Sequence, residues 1–251
     1  MEVYLNRIDG WDDAILSMFY SKRTVTRELE EDIRYNTYLV ENDVPTNGPK
    51  GALLLEEDYI DKIAKEKVTK WLDSLFKWAW THITMGRFLD LSFTVYGLHR
   101  AGQDDLDAHA MRMNNRIIRS STRLANFKHG EMSTYYQDKI VPTDVALAYL
   151  GITTPDEIEY NGQTYVRAVN GYVLKGMENN KDVKRGLYML SIPSNFIFRC
   201  NLTEFAHVYK ERREQGIANP EVKQAVEMMV DQLEEASCGY INREYLMKVK
   251  N

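Results

Sequence analysis

The sequence predicts an α+β fold in which long helices pack on a mixed β-sheet and a small antiparallel meander is inserted. Three patterns predict this class. Short segments with alternating apolar residues predict strands, long segments with helical apolar spacing predict packed helices, and two Asn-Gly pairs predict tight hairpins. A chain of 251 residues suits one large domain. We therefore expect a single domain, 1–251, with the meander inserted at about 157–174.

The first part of the chain contains a strand, two helical stretches and a second strand. Apolar residues at 3–8 predict a short strand, and 11–20 predicts a helix with two aspartates in its first turn, where the helix dipole favours them. The proline- and glycine-containing stretch 42–51 predicts a loop. One long or two consecutive helices are expected at about 56–80. Strict alternation predicts a strand at 89–95.

A row of arginines follows that strand. Arg112, Arg116, Arg119 and Arg123 are spaced so that a helix over 104–121 would align them along one face. Three aspartates would then lie at the N-terminus of this helix, where the dipole favours them. Four like charges need compensation, either from acidic side chains or from a bound phosphate. The alternative, a solvated face with surface ion pairs, stays open on this pattern.

The second half of the chain predicts the meander and then helices. The two Asn-Gly pairs fall within 157–174, between apolar runs. Helices are predicted at 183–190, at 196–213 and at 220–235. Pro220 suits the first turn of the last helix, where a missing N–H group is tolerated.

The composition limits the class of function. With 44% hydrophobic and 27% charged residues, the chain is typical of a globular protein. A net charge of -5 argues against a nucleic-acid or membrane-surface binder, so any anion site must be local. Cys200 and Cys238 are too few for a disulfide framework, and no histidine spacing resembles a metal motif. Without a leader or a long apolar stretch, we expect a cytoplasmic protein.

Several motifs are similar to those of the flavin-dependent thymidylate synthase (ThyX) family. The His-x-Thr segment 82–84 precedes the strand 91–95, as in the family. Ser-x-Arg at 121–123 resembles the end of the family's central motif. Residues 218–223, Ala-Asn-Pro-Glu-Val-Lys, resemble the family's Ala-Gln-x-Glu-Ile-Arg signature, which is the most specific of these matches.

Two further arginines match the family by their distance from an asparagine. Arg185 lies 16 residues before Asn201, and Arg212 lies 11 residues after it. In the family, arginines at these places bind the nucleotide substrate. Together the similar segments span parts of the chain from His82 to Lys223.

The resemblance implies a nucleotide substrate and a flavin cofactor. It assigns dUMP binding to one serine and three arginines, Ser121, Arg123, Arg185 and Arg212, with Ser121 and Arg212 as the catalytic residues. It assigns FAD binding to His82, Thr84, His109, Arg112, Asn201 and His207. The implied reaction is reductive methylation of dUMP to dTMP, with methylenetetrahydrofolate as carbon donor and NADPH as reductant. The implied assembly is a homotetramer with active sites between subunits.

The chain departs from the family at the flavin motif. Where the family has Arg-His-Arg, residues 108–110 are Ala-His-Ala, and Arg112 is the candidate for the displaced role. Thr203 and His207 stand where the family has an arginine and an asparagine. This departure motivates one alternative, a ThyX-fold pyrimidine nucleotide enzyme with altered one-carbon transfer, such as hydroxymethylation, or with no flavin chemistry. A second alternative is a helical interaction protein whose arginine row docks on an acidic partner.

Overall fold

The computed structural model describes residues 1–22, 24–44, 48–79, 82–107, 116–121, 131–168, 170–180, 182–183, 186–214 and 219–249. The strands are β1 Glu2–Asp9, β2 Asp90–His99, β3 Arg116–Arg119, β4 Glu157–Tyr160, β5 Gln163–Ala168, β6 Gly171–Leu174 and β7 Pro193–Asn201. The helices are α1 Trp11–Lys22, α2 Arg27–Val40, α3 Lys62–Ala79, α4 Ile83–Gly86, α5 Arg100–Asp107, α6 Thr143–Tyr149, α7 Leu202–Glu214, α8 Pro220–Ala236 and α9 Arg243–Lys248.

Two sheets organise these elements. The larger has the strand order β1-β2-β7-β3, and the smaller is the meander β4-β5-β6. The α+β class and the meander are confirmed. The ladders of both sheets are antiparallel, where the sequence predicts a mixed larger sheet, and an isolated parallel bridge joins Arg7 to Lys50. Asn161 and Asn170 have φ angles of 50° and 60°, which the tight Asn-Gly turns require.

One face of the larger sheet carries the core. Phe93 of β2 is fully buried and stacks on Phe205 of α7, with 5.5 Å between the ring centroids. Gln232 of α8 bonds to the backbone of β1. Its side-chain oxygen accepts the N–H of Leu5 at 2.6 Å, and its side-chain nitrogen donates to the carbonyl of Val3 at 2.7 Å. Helix α8 is therefore fixed to β1 by hydrogen bonds as well as by apolar packing.

The opposite face of this sheet holds three exposed apolar side chains and a partly buried threonine in one row. Tyr4, Thr94, Ile197 and Ile118 lie side by side across β1, β2, β7 and β3. Tyr4 and Ile197 are each 50% exposed, and Ile118 is 77% exposed. We call these four residues the outer row.

The helix predicted for 104–121 is wrong. Helix α5 ends at Asp107, and 116–119 form the edge strand β3, which pairs with β7. The arginine spacing is helical, but the β-branched pair Ile117 and Ile118 favours a strand, and pairing with β7 satisfies its backbone groups. The arginine row is therefore not one helix face, and the helical interaction protein loses the feature that motivates it.

The helix predicted for 196–213 is wrong in its first part. Phe198 is buried and Ile197 is exposed, which is the period of two of a strand, and both lie in β7. Asn201 ends this strand, and its side-chain oxygen accepts the N–H of Glu204 at 3.0 Å. This bond satisfies a free N–H group in the first turn of α7, so the helix begins at Leu202.

The other predicted helices have mixed outcomes. The helices at 11–20 and 220–235 are confirmed as α1 and α8. The helix predicted from about 56 begins at Lys62, where the carboxylate of Asp61 accepts the N–H of Ala64 at 2.8 Å. Residues 186–190 form turns instead of the second half of the helix predicted at 183–190, of which 184–185 lie outside the described residues. Within the described ranges, no helix is both long and apolar enough to cross a membrane.

Glu41, which follows α2, lies among other carboxylates. Burial, and then the charges of Asp12, Asp43 and Asp9, raise the pKa of Glu41 from its ordinary value of 4.5 to about 8. A carboxyl group with this pKa is largely protonated near neutral pH. The fold therefore keeps Glu41 uncharged where the unfolded chain would ionise it.

We expect Glu41→Gln to stabilise the protein at pH 8. Between its ordinary pKa of 4.5 and about 8, the folded state keeps a proton that the unfolded state has released, so the free energy of unfolding of the wild type falls as pH rises through this window. The free energy of unfolding of the variant should not fall with pH in this way. At the upper end of the window it should exceed that of the wild type by about 2 kcal/mol. Urea unfolding at both ends of the window measures the effect. Glu31→Gln, at an exposed position of α2, is the control, and equal stability of Glu41→Gln and the wild type at pH 8 would contradict the prediction.

Candidate functional site

Helix α5 ends in three aspartates, at the end where the helix dipole disfavours negative charge. Asp104, Asp105 and Asp107 lie in its last two turns and not at a helix N-terminus, which corrects the sequence prediction. Arg119, on β3, donates to the carboxylates of Asp104 and Asp107, and Arg212, on α7, donates to the carbonyl oxygen of Asp105. Two arginines from separate elements therefore converge on the C-terminal end of α5.

Arg212 keeps unused hydrogen-bonding capacity. Its Nε is buried and has no hydrogen-bond partner among the described residues, while one Nη bonds to Asp105. The adjacent Arg213 is engaged by contrast, because its guanidinium pairs with Glu227 at 3.1 Å and donates to the hydroxyl of Tyr209. A buried N–H group without a partner is destabilising. Arg212 is therefore the arginine that can form a further hydrogen bond to a ligand with an anionic or carbonyl oxygen.

Ser121 lies at the same end of the sheet. It follows Arg119 by two residues, and the N–H of the intervening Ser120 donates to the carbonyl of Asn195 at 2.8 Å. Because Arg119 and Arg212 both contact α5, the chain leaves β3 beside this helix end. Four further predicted site residues lie outside the described part of the chain: His109, Arg112, Arg123 and Arg185.

Three of the residues assigned to the flavin, His82, Thr84 and Asn201, lie at the opposite end of the sheet. Asn201, which is buried, closes β7, whereas Ser121 adjoins Asn195 near the start of the same strand. The six residue-to-residue steps from 195 to 201 span about 20 Å of extended chain. His207 is partly buried farther along α7. Within one chain, Asn201 is therefore well separated from Ser121, whereas His207 lies on α7 between Asn201 and Arg212.

The short helix α4 brings the His-x-Thr segment to the start of α7. The hydroxyl of Thr203 donates to the carbonyl of Ile83 at 2.7 Å. Gly86 packs so closely here that a Cβ at this position would lie 2.8 Å from the hydroxyl oxygen of Thr203. His82 immediately precedes α4 and Thr84 lies within it, and both are exposed. This end of the sheet therefore offers polar side chains to a ligand.

A buried carboxylate that sequence reasoning did not select as a site residue joins three parts of the chain. Glu221 is only 3% exposed. Its carboxylate accepts hydrogen bonds from the ring Nδ1 of His99 and from the backbone N–H of His99, the latter at 3.3 Å. It also accepts the hydroxyl of Ser133 at 3.2 Å. Burial raises the pKa of Glu221, but these bonds outweigh burial and the pKa lies below 4.5. His99 and Ser133 are 122 and 88 residues from Glu221, so local spacing gives no signal for this cluster.

The surroundings of this carboxylate are tightly packed. The ring of Tyr136 meets that of His99 edge-on, with 5.0 Å between centroids, and its hydroxyl accepts from the amide of Asn219 at 3.1 Å. Asn219 also accepts the N–H of Glu221 at 2.8 Å and so caps α8. A Cβ at Gly102 would lie 2.7 Å from the ring of His99. These contacts fix α5, and with it the arginine-binding end of that helix, against the start of α8.

The cysteines offer no activated thiolate. Cys200 is fully buried in β7, and burial raises the pKa of its thiol. Burial is also the main cause that raises the pKa of the Cys238 thiol. A reactive thiolate needs a cationic and accessible setting. Chemistry at this site would therefore depend on arginines, a serine and any bound cofactor.

Comparisons with known proteins identify the fold. No family model matches the sequence, and no curated protein matches it in sequence. The crystal structure of thymidylate synthase X (ThyX) from Helicobacter pylori with FAD and dUMP matches with a TM-score of 0.52 and 14% identity, over 98% of this chain and 100% of that chain. The UMP/dUMP methylase PolB from Streptomyces cacaoi, bound with 5-Br dUMP, matches with a TM-score of 0.52 and 12% identity, over 100% and 97% of the two chains. The ThyX-like fold predicted from the motifs is confirmed.

We expect Glu221→Gln to destabilise the protein near neutral pH. The amide cannot accept all the bonds that the carboxylate accepts, and the loss of a buried partner should lower the free energy of unfolding by about 2 to 4 kcal/mol. Because the folded pKa is lowered, this stabilisation is present above 4.5 and is lost as pH falls through the folded pKa. Urea unfolding against pH measures both effects. Glu235→Gln, at an exposed position of the same helix, should change little, and an unchanged stability of Glu221→Gln near neutral pH would refute the role of this carboxylate.

Proposed function

We propose that this chain, which has the ThyX fold, binds a pyrimidine nucleoside monophosphate and methylates its ring reductively, converting dUMP to dTMP. The observation that carries the proposal is a fold similarity over 98 to 100% of the chain to ThyX, solved with FAD and dUMP, and to a UMP/dUMP methylase. A fold can host several chemistries, so the proposal also needs suitable side chains. Arg212, which meets the C-terminal end of α5, and the neighbouring Ser121 supply them.

In this proposal Arg212 and Ser121 hold the nucleotide beside α5, together with Arg123 and Arg185. The Nε of Arg212, which has no partner among the described residues, is a donor for a phosphate or carbonyl oxygen of the ligand. Donors at the uracil carbonyls stabilise the negative charge that develops there when the ring carbon acts as the nucleophile. Such activation needs no thiolate, which agrees with the high thiol pKa of Cys200.

FAD would be held at the other end of the sheet by His82, Thr84 and Asn201. The exposed imidazole and hydroxyl can bond to the phosphate and ring oxygens of a flavin dinucleotide, so these residues fit the cofactor. The same assignment includes His109, Arg112 and His207. When bound, the flavin supplies hydride transfer between NADPH and the carbon unit of methylenetetrahydrofolate.

A complete site requires more than one copy of the chain. Ser121 and Asn201 lie at opposite ends of a strand, about 20 Å apart, so one copy does not bring these two residues to the same ligand. We propose a homotetramer with sites between subunits. The exposed apolar side chains of the outer row support an assembly of this kind. Sedimentation that shows a monomer at working concentration would contradict this arrangement.

UMP is a second candidate substrate. PolB bound with 5-Br UMP matches this chain with the same TM-score, 0.52, at 10% identity over 100% of this chain and 96% of that chain. The altered flavin motif also keeps hydroxymethylation as an alternative to methylation. Mass analysis of the product separates the two reactions, and competition between dUMP and UMP separates the two substrates.

An absorbance titration tests the proposed function directly. Purified protein is titrated with FAD and then with dUMP or UMP, and turnover is followed after addition of NADPH and methylenetetrahydrofolate. A flavin band at about 450 nm that shifts on nucleotide addition, followed by formation of dTMP, supports the proposal. A protein that binds neither FAD nor either nucleotide would contradict it.

We expect Arg212→Ala to weaken dUMP binding about 30-fold, which corresponds to about 2 kcal/mol. The side chain donates in a partly buried setting, and its Nε has no partner within the described chain. Calorimetric titration with dUMP measures the change. Arg213→Ala is the matched control, because Arg213 pairs with Glu227 and should leave the affinity within about twofold. If the wild type and Arg212→Ala bound dUMP with equal affinity, Arg212 would not be a nucleotide-binding residue.

A further inference from the structure

A groove with aromatic walls lies between the end of α3 and α9. Its lining includes Phe76, Trp78, Tyr240 and Tyr245, and its volume is about 650 Å³. Phe76 packs against Tyr240 and Tyr245, with 5.3 and 4.9 Å between ring centroids, which fixes these three rings as a floor. Trp78 is 43% exposed beside them. The volume and the aromatic lining are those of sites that bind planar small molecules.

Two lysines bring positive charge to the exposed indole ring. The Nζ atoms of Lys22 and Lys77 lie 5.6 and 5.8 Å from the centroid of Trp78. Lys22 donates to the hydroxyl of Ser74 at 3.3 Å. Neither ammonium group forms an ion pair with a carboxylate in the part of the chain that the structure describes. In a chain with a net charge of -5, this is a local excess of positive charge that suits an anion.

Two carboxylates of the described chain lie at or near the groove. Glu244, which lines it, pairs with Lys248 one turn away on α9. The carboxylate of Asp73 accepts the hydroxyl of Tyr240 at 2.8 Å. Among the described groups around Trp78 and the groove, Lys22, Lys77 and Lys248 therefore outnumber the carboxylates of Glu244 and Asp73, which leaves a net positive charge.

We propose that this groove is a second ligand site, for a heteroaromatic anion. The planar ring stacks on Trp78 and the aromatic floor, and the phosphate or carboxylate groups of the ligand meet Lys22 and Lys77. Nucleotides and pterin glutamates share this chemistry. The groove lies on α3 and α9, whereas Arg212 contacts α5, so ligand binding here can be tested separately from dUMP binding at Arg212.

Calorimetric titrations with four compounds test the ligand class. ADP and folic acid each combine a heteroaromatic ring with negative charge, adenosine has the ring without the charge, and inorganic phosphate has the charge without the ring. We expect at least one of the first two to bind saturably and the last two to bind at least tenfold more weakly. The preference between ADP and folic acid identifies the source of the ligand. Absence of saturable binding by both, or equal binding of ADP and adenosine where ADP is the ligand, would overturn the proposal.

Variants then locate the binding. Trp78→Ala and the double variant Lys22→Glu/Lys77→Glu should each lower the affinity at least tenfold. Lys62→Glu/Lys70→Glu is the matched control, because it makes the same charge change at exposed positions of α3. Arg212→Ala should leave binding at the groove unchanged while it weakens dUMP binding. Affinity as in the wild type in both groove variants, or loss of binding in Arg212→Ala, would place the ligand elsewhere and overturn the proposal.

Discussion

The carboxylate of Glu221 holds together segments that are far apart in sequence, because His99 and Ser133 both donate to the same oxygen atom. His99 ends β2, and Ser133 belongs to the segment that leads toward the meander. The N–H of Ser133 also donates to the carbonyl of Ser191, where the chain returns from the meander. A buried charge is stable only when such donors surround it. The position of α5, the chain at Ser133 and Ser191 on either side of the meander, and the start of α8 therefore depend on one carboxylate.

The placement of α5 has a direct consequence for the chemistry of the protein. Its C-terminal end combines three aspartates with the negative end of the helix dipole, and it is compensated by Arg119 and Arg212 from other elements. Arg119 uses its fork on two carboxylates, whereas Arg212 bonds to a single carbonyl and keeps its buried Nε unpartnered among the described residues. An acidic chain can thus keep donor capacity on an arginine for the nucleotide that we propose as its ligand, because the surrounding elements engage that arginine only in part.

The larger sheet connects the C-terminal end of α5 to the rest of the molecule. Its inner face carries the helices, and its two ends separate Ser121 from Asn201 and the adjoining α4. Its outer face exposes the outer row, which gives a second copy of the chain an apolar surface to pack on. The aromatic groove at α3 and α9 lies near α4, since the hydroxyl of Tyr245 would be 3.6 Å from a Cβ at Gly86. The proposed flavin segment therefore lies between the core of the sheet and a second concave surface.

The sequence by itself determined the elements whose signal is local. Alternation gave β1 and β2, helical spacing and Pro220 gave α8, and the Asn-Gly pairs gave the meander, because each depends on neighbours within a few residues. Motif similarity also indicated the ThyX fold. Only the tertiary structure decided that Arg116–Arg119 is a strand, since its pairing with β7 overrides a helical arginine spacing. It alone joined His99 to Glu221 across 122 residues, because a buried hydrogen bond between distant segments leaves no periodicity in the chain.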